Sequence, residues 1–342
     1  MFWARLYLSG KAPISEPTNH QWKRRAMIRY FTKTYGQLSE LDTFTEGCWV
    51  HICSPFSSNE LEDFADLLGI PLDFLTDSLD IDERARYERE EDIRFILINT
   101  PVPNNRQEDN EAVYITVPIG MILHEKCLVT ISAYDNTIID QFLKDKIKHF
   151  NPHDASNFVL QLFDQNVNRF TGYLKKLNLS RNVIEQELFN TSRAEGLKQL
   201  LGLEKSSVYF VNALSSNELL KMKIKRTDFL GIKDDEDKTD FFEDIIIDNN
   251  QAHQMANVFT NIIGGTMEAM ASIISNNLNI VIQRLTLITI VLMVPTLVSS
   301  FYGMNIKYLP FVDTKYAFLY IVIFSLSLSV LLVWFFRRKR LF

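Results

Sequence analysis

The residues whose types and spacing carry most chemistry form a stripe. Asn250, Asn257, Asn261, Glu268, Ser272, Ser275 and Asn279 recur at steps of three, four and seven. That spacing sets them on one face of a helix. Solvated helix faces favour Lys, Glu and Arg, whereas this one offers amides and hydroxyls with a single carboxylate. Its chemistry is hydrogen bonding to water, not bond making. A solvated surface is the ordinary reading of such a face. Its composition, and the apolar run it leads into, fit a hydrated pathway along a symmetry axis.

Other constellations exclude more than they offer. No Ser/His/Asp, Cys/His or paired-carboxylate arrangement stands out, so an enzyme is not expected. His149 and His153 are four apart, but Asn151-Pro152 reads as a helix start between them, which argues against a shared metal. Gly202-Leu203-Glu204-Lys205-Ser206 lacks the Gly-Lys-Ser order of a phosphate loop. Cys48, Cys53 and Cys127 are odd in number and contain no C-x-x-C, which predicts buried reduced thiols rather than disulfides. A net charge of -6 and the lack of a basic face argue against nucleic acid.

The polar stripe must be held by the elements around it. From Leu285 to Tyr302 runs a charge-free segment of eighteen residues, and a second spans Tyr316 to Phe336. Each is long enough to cross a bilayer as a helix. No signal peptide is expected in MFWARLYLSGKAPISEPT, where Arg5 interrupts the short apolar start. Arg284 precedes the first span, and Arg337, Arg338, Lys339 and Arg340 follow the second. Basic flanks favour the cytoplasmic side. Both termini are therefore expected in the cytoplasm of a multi-pass protein of the plasma (inner) membrane, with the loop outside. From about Thr239 no proline occurs until Pro295. A helix from there to Tyr302 would run on the order of 90 Å. Ala252, Met255, Phe259, Ile262, Ala269, Ile273 and Ile280 mark a coiled-coil-like seam along it.

Upstream, strand and helix signals alternate. MIRYFTKT, CWVHICS, DIRFILINTPV, AVYITVPIGMILH and KCLVTISA read as strands, with helices in PFSSNELEDFADLLGI and PLDFLTDSL. The expected organisation is an α/β cytoplasmic domain over 1–150, a helical stalk region over 151–282 and a transmembrane hairpin over 283–342. In the hairpin, the first span covers about 283–303, the outer loop 304–315 and the second span 316–336, followed by a basic tail. Asn151-Pro152 is the expected helix start, and a break is expected near Gly202.

Tyr302-Gly303-Met304-Asn305 closing the first span, a short loop, a second span and a basic C-terminus resemble the CorA family of divalent-cation (magnesium) channels. The layout resembles the family over essentially the whole chain; the sequence does so mainly from about Phe241 onward. The resemblance implies a CorA-like pentameric funnel: a homopentamer in the lipid bilayer with a coiled-coil stalk and two transmembrane helices, passing Mg2+ and also Co2+ or Ni2+. It places Gly303, Met304 and Asn305 at the outer mouth. Asn305 would present a ring of side-chain amides, which can hydrogen-bond the water shell that magnesium gives up reluctantly. Gly303 would form the turn and let backbones approach closely. Thr296, Met293, Thr289 and Leu285 match the family's pore face, with Met293 and Leu285 as the hydrophobic constriction. Asn279, Ser275, Ser272 and Glu268 continue it down the stalk. Pro295 is tolerated where neighbours re-satisfy the freed carbonyl.

The resemblance also implies regulatory Mg2+ between subunits, on Asp244 of the stalk helix and Asp77 of the α/β domain. Two departures stand out. Thr76-Asp77 replaces an acidic pair found in many members, and Lys307 sits where an outer acid is common. The run from Arg337 to Arg340 is expected to anchor topology, with a positive collar at the inner mouth as its other reading. Two alternatives stay open: a ZntB-like zinc transporter, which shares the layout, and a membrane-anchored coiled-coil scaffold that conducts nothing.

Overall fold

The computed structural model describes residues 28–54, 58–104, 111–191, 194–304 and 314–339. Asn305, Arg340 and most of the outer loop lie outside the described residues. Two compact units form, one running to Thr266 and one from Met267 onward.

The first unit is built on one sheet. Its strands are β1 (Ile28–Thr34), β2 (Gln37–Leu41), β3 (Cys48–Cys53), β4 (Arg86–Glu90), β5 (Ile93–Pro103), β6 (Tyr114–His124) and β7 (Cys127–Ser132). Their order is β2-β1-β3-β7-β6-β5-β4. The β3–β7 pair is parallel; the others are antiparallel. Five strands are the expected ones. β2 and β4, which read QLSEL and RYERE, are the two edges and were not foreseen. Both are too polar to show the alternation of a half-buried strand. The β1–β2 turn has φ of 51° at Tyr35 and 81° at Gly36, the two-residue hairpin geometry that matches strand twist.

Alternation along β3 sends its side chains to two cores. Val50 and Ile52 join α1 (Ser58–Leu68) and α2 (Leu72–Asp77) through Leu61, Phe64, Phe74 and Leu75. Cys48 and Cys127 are register partners in this core. All three cysteines are free thiols, and burial pushes Cys127 up to about 12. On the other face, Trp49 packs against Phe142 of α3 (Thr137–Leu143), Phe150, and Phe158 of α4 (Ala155–Thr191), with ring centres 6.4, 5.6 and 5.5 Å away.

α4 and α5 (Ala194–Thr227) are fastened to the sheet at Asn99. Pairing of β4 with β5 reaches Leu97 and stops there. Beyond it, the Asn99 N–H donates to Asn217 Oδ1 at 3.0 Å. The Asn99 carbonyl accepts from Asn217 Nδ2 at 2.7 Å and Asn166 Nδ2 at 3.0 Å. Both amide side chains are fully buried. They satisfy backbone groups that would otherwise be costly.

Two local expectations are corrected, and a third is supplemented. α4 begins at Ala155, not at Asn151-Pro152. Asn151 closes a turn by accepting from the His153 N–H at 3.1 Å, and Asp154 caps the helix by accepting from Asn157 N–H. No break falls near Gly202, which lies inside α5. A Cβ on Gly202 would sit 2.8 Å from the Glu111 carbonyl oxygen, so this glycine serves close approach. The third concerns α6 (Glu236–Tyr302), a single helix of 67 residues. Its buried stripe within the chain is Phe242, Ile245, Asn249, Ala252, Ala256, Ile263 and Met270. Of the expected seam, Ala252 is buried, whereas Ile262, Ala269 and Ile280 are exposed.

The second unit contains the end of α6 and α7 (Ala317–Arg338). Both helices carry a stretch long and apolar enough to cross a membrane. α7 has 22 residues, about 33 Å at 1.5 Å per residue, against a hydrocarbon core of about 30 Å.

Candidate functional site

Two faces of α6 divide its apolar end. Leu287 is buried and Val291, Val294 and Val298 are partly buried. They face α7, whose matching stripe is Ala317, Ile321, Ser325, Ser329, Leu332 and Phe336. Only Ser325 and Ser329 of α7 are fully buried. Small residues four apart allow two helices to come close. Roughly half a turn away on α6, by helical spacing, lie Leu285, Thr289, Met293 and Thr296. All four are exposed, Leu285 at 63% and Met293 at 60%. The four residues matched to a pore face therefore share one surface, opposite the hairpin contact.

The two threonines on this surface have committed their protons. Thr289 Oγ1 donates to the Leu285 carbonyl at 2.9 Å, and Thr296 Oγ1 to the Leu292 carbonyl at 3.1 Å. A hydroxyl has one proton and two lone pairs. Outward, each therefore offers an acceptor. Water bound to a cation points its hydrogens away from the metal, so acceptors are the groups that hold a hydrated ion.

The helix ends at Tyr302. The Gly303 N–H donates to the carbonyls of Ser299 and Ser300 at 3.0 and 3.2 Å. Gly303 does not have the left-handed backbone of the positive-φ glycines. A Cβ there would meet carbonyl oxygens at 3.4 and 3.5 Å, so this turn does not itself demand glycine, contrary to expectation. Met304 is exposed beside it. Further down α6, Asn257, Asn261, Glu268, Ser272, Ser275 and Asn279 are all exposed. Asn250 is not free: its Nδ2 donates to Glu218 Oε1 at 2.7 Å.

Asp244 and Asp77 differ in their surroundings. Asp244 is exposed on α6, flanked by buried Phe242 and Ile245. Asp77 ends α2, which docks on β6 at Gly120. A Cβ on Gly120 would lie 1.9 Å from Ser78 Oγ. The Asp77 carboxylate accepts from Arg86 Nη2 at 2.6 Å. Arg86 also pairs with Glu83 at 2.6 Å and with Glu88, and lies over the Phe95 ring. Asp77 is thus an ion-pair partner within its own chain, which its sequence context did not reveal. Among the described residues no group of three or more His, Cys, Asp or Glu side chains gathers as a metal site. The basic end of α7 carries Arg337 and Arg338 in its last turn and Lys339 at its cap, where cations suit the helix dipole. Arg338 lies 5.4 Å from the Trp334 ring centre.

Sequence reasoning missed Arg86, Asn217 and the serine pair of α7. The Ser-x-x-x-Ser spacing inside an apolar run was the available signal for the last. Arg86 and Asn217 act through long-range contacts that no local pattern announces.

An α/β domain, a 67-residue helix and a terminal apolar helix packed on it through serines define a class: two-span membrane proteins with a large N-terminal domain. The chain belongs to the CorA-like Mg2+ transporter family, whose profile matches residues 45–338. The cobalt/magnesium transport protein CorA of Methanocaldococcus jannaschii is 24% identical over 295 residues, covering 85% of this chain and 90% of that protein. The complete structure of the CorA magnesium transporter from Methanocaldococcus jannaschii matches with a TM-score of 0.74 at 22% identity, over 92% of this chain and 98% of that one. The ZntB cytoplasmic domain from Vibrio parahaemolyticus matches with a TM-score of 0.54 at 8% identity, over 73% and 97%. At these identities the structural likeness concerns fold.

Proposed function

We propose that the chain forms a homopentameric channel for divalent cations, chiefly Mg2+ with Co2+ and Ni2+ as further passengers. The observation that carries this reading is the Leu285–Thr289–Met293–Thr296 surface. It is exposed in one chain, lies opposite the hairpin contact, and alternates apolar side chains with hydroxyls that offer only acceptors outward. Lined up around an axis, such surfaces hold a hydrated cation at the threonines and exclude water at Met293 and Leu285 when narrow. Asn305 supplies amide oxygens at the outer mouth; Asn279, Ser275, Ser272 and Glu268 continue the path inward. Both termini are cytoplasmic, and influx follows the membrane potential, about 4.6 kcal/mol per 100 mV for a double charge.

In this reading intracellular magnesium closes the channel by bridging Asp244 of one subunit and Asp77 of the next. The donors suit the ion. Magnesium keeps most of its waters and takes one or two carboxylates. The Asp244 carboxylate is exposed, and Arg86 holds only Oδ2 of Asp77.

The test is uptake into proteoliposomes loaded with a magnesium dye, comparing wild type with Asn305→Ala. Potential-driven uptake that is lost in the variant is the expected result. Proton-dependent uptake of zinc without magnesium would move the chain to the ZntB-like reading. A folded pentamer that takes up no divalent ion would leave the scaffold reading.

A further inference from the structure

Pro295 lies inside α6. Proline has no N–H, and its ring crowds the carbonyl four residues earlier. Here that carbonyl belongs to Val291. In a bilayer no water is at hand to take its place, and an unsatisfied carbonyl there is costly. Ser329 Oγ of α7 lies 3.4 Å from the Val291 oxygen. Ser329 is 8% exposed, with the small Ser325 one turn before it on the same buried stripe.

We infer that the Ser329 hydroxyl supplies the hydrogen bond that Pro295 removes from α6, and that this bond positions the Met293–Thr296 segment. Ser329 is then a positioning residue, acting through the backbone of the neighbouring helix. The hydroxyl has one proton and two acceptors within reach: the Val291 carbonyl, and the Ser325 carbonyl of its own helix at 3.2 Å. With the proton on Val291, α6 is tied to α7 beside its proline. With the proton on Ser325, the Val291 carbonyl is released and α6 can bend there. Thr296 Oγ1 reaches the next carbonyl, Leu292, a back-bond that itself favours bending. Val291 and Met293 lie on opposite faces, so a shift at the hairpin contact is delivered to the exposed surface. The consequence for conduction rests on the channel reading above; the hydrogen bond does not.

The test is a double-mutant cycle on the full-length protein. Ser329→Ala, Pro295→Ala and the double variant are compared by unfolding in SDS and by magnesium uptake in liposomes. Ser329→Ala is expected to shift the unfolding equilibrium about threefold, the size of an interhelical hydrogen bond in a bilayer. In the Pro295→Ala background the shift should vanish, because alanine at 295 donates its own N–H to Val291. Uptake by the double variant should match that of Pro295→Ala. If Ser329→Ala does not fold, Ser329→Cys keeps the volume, weakens the donor, and should show the same dependence on Pro295. An equal shift in both backgrounds would reduce Ser329 to packing and overturn the inference. Coupled unfolding with uptake indifferent to Ser329→Ala would overturn the positioning role. Coupled unfolding in a wild type that takes up nothing would keep the bond and remove the channel.

Discussion

Asn99 and Val291 both lack a regular backbone partner, and the two units of the molecule treat them differently. At Asn99, two buried amide side chains from two helices make three bonds of 2.7 to 3.0 Å. At Val291, one hydroxyl proton reaches across 3.4 Å while a nearer acceptor competes for it. The first arrangement is over-determined at the carbonyl, which keeps an amide partner if either side chain moves, while Asn217 alone holds the N–H. The second offers one proton to two acceptors, at 3.4 and 3.2 Å. The α/β unit ties its strand edge with several bonds, and the hairpin, on the inference above, with one that can be exchanged.

That contrast can be broken first at the centre of the α/β unit, where the largest effect is expected. Lys221 is fully buried; its Nζ donates to Asn249 Oδ1 at 2.6 Å and sits 5.4 Å from the Phe163 ring centre. Burial pulls its pKa from 10.5 to about 7, against the opposing pull of Glu218 and Asp164. Between those values the unfolded chain binds more protons than the folded one, so stability rises as pH rises from about 7 to about 10.5. The gain is on the order of 5 kcal/mol. Lys221→Met should abolish it in a pH series of melting curves. A wild type whose stability is flat across that window would show that the buried lysine is well accommodated while charged.

Next comes Asn217→Leu. It leaves the Asn99 N–H without an acceptor and should cost about 2 kcal/mol, read as a lowered denaturation midpoint of the full chain. A loss near zero would mean that Asn99 is no better determined than Val291, and the comparison would fail. The smallest effect concerns Arg86, which fixes Asp77 as the amides fix Asn99. Arg86→Gln leaves Asp77, Glu83 and Glu88 without their shared cation. Magnesium should then half-inhibit uptake at about a fivefold lower concentration, the scale of a partly exposed ion pair. An unchanged or raised concentration would remove Asp77 from the sensor.

Legibility in the sequence followed the range of the interaction. The spans and α6 could be read because they depend on local composition: a charge-free run, and the absence of proline from Thr239 to Pro295. Strands β1, β3, β5, β6 and β7 could be read for the same reason, from their β-branched and aromatic content. β2 and β4 could not, because an edge strand buries too little to be apolar. Gly202 misled because glycine marks both helix ends and close approach, and here the neighbour was the Glu111 carbonyl. The stripe of α6 that is buried within the chain went unread for a related reason. Ala252, Met255 and Phe259 form one stripe, and Ala252, Ala256 and Ile263 an adjacent one; α5, packed alongside, selects the second. Ser207 of α5 marks that contact, its Oγ donating to the Ala256 carbonyl at 3.3 Å. The Leu285–Thr296 surface was legible only through its likeness to a family, whereas Ser329 and Arg86 needed the structure.

The two edges of the sheet have a consequence for how copies of this chain can meet. β2 and β4 offer Gln37, Ser39 and Glu40 on one side and Arg86, Glu88, Arg89 and Glu90 on the other. A strand from another copy would bury little apolar surface along either, and along β4 would confront charges of both signs. The edges keep unpaired backbone groups, as every sheet edge does, but their side chains make poor neighbours for an eighth strand. Polar edges of this kind disfavour sheet-to-sheet aggregation between copies.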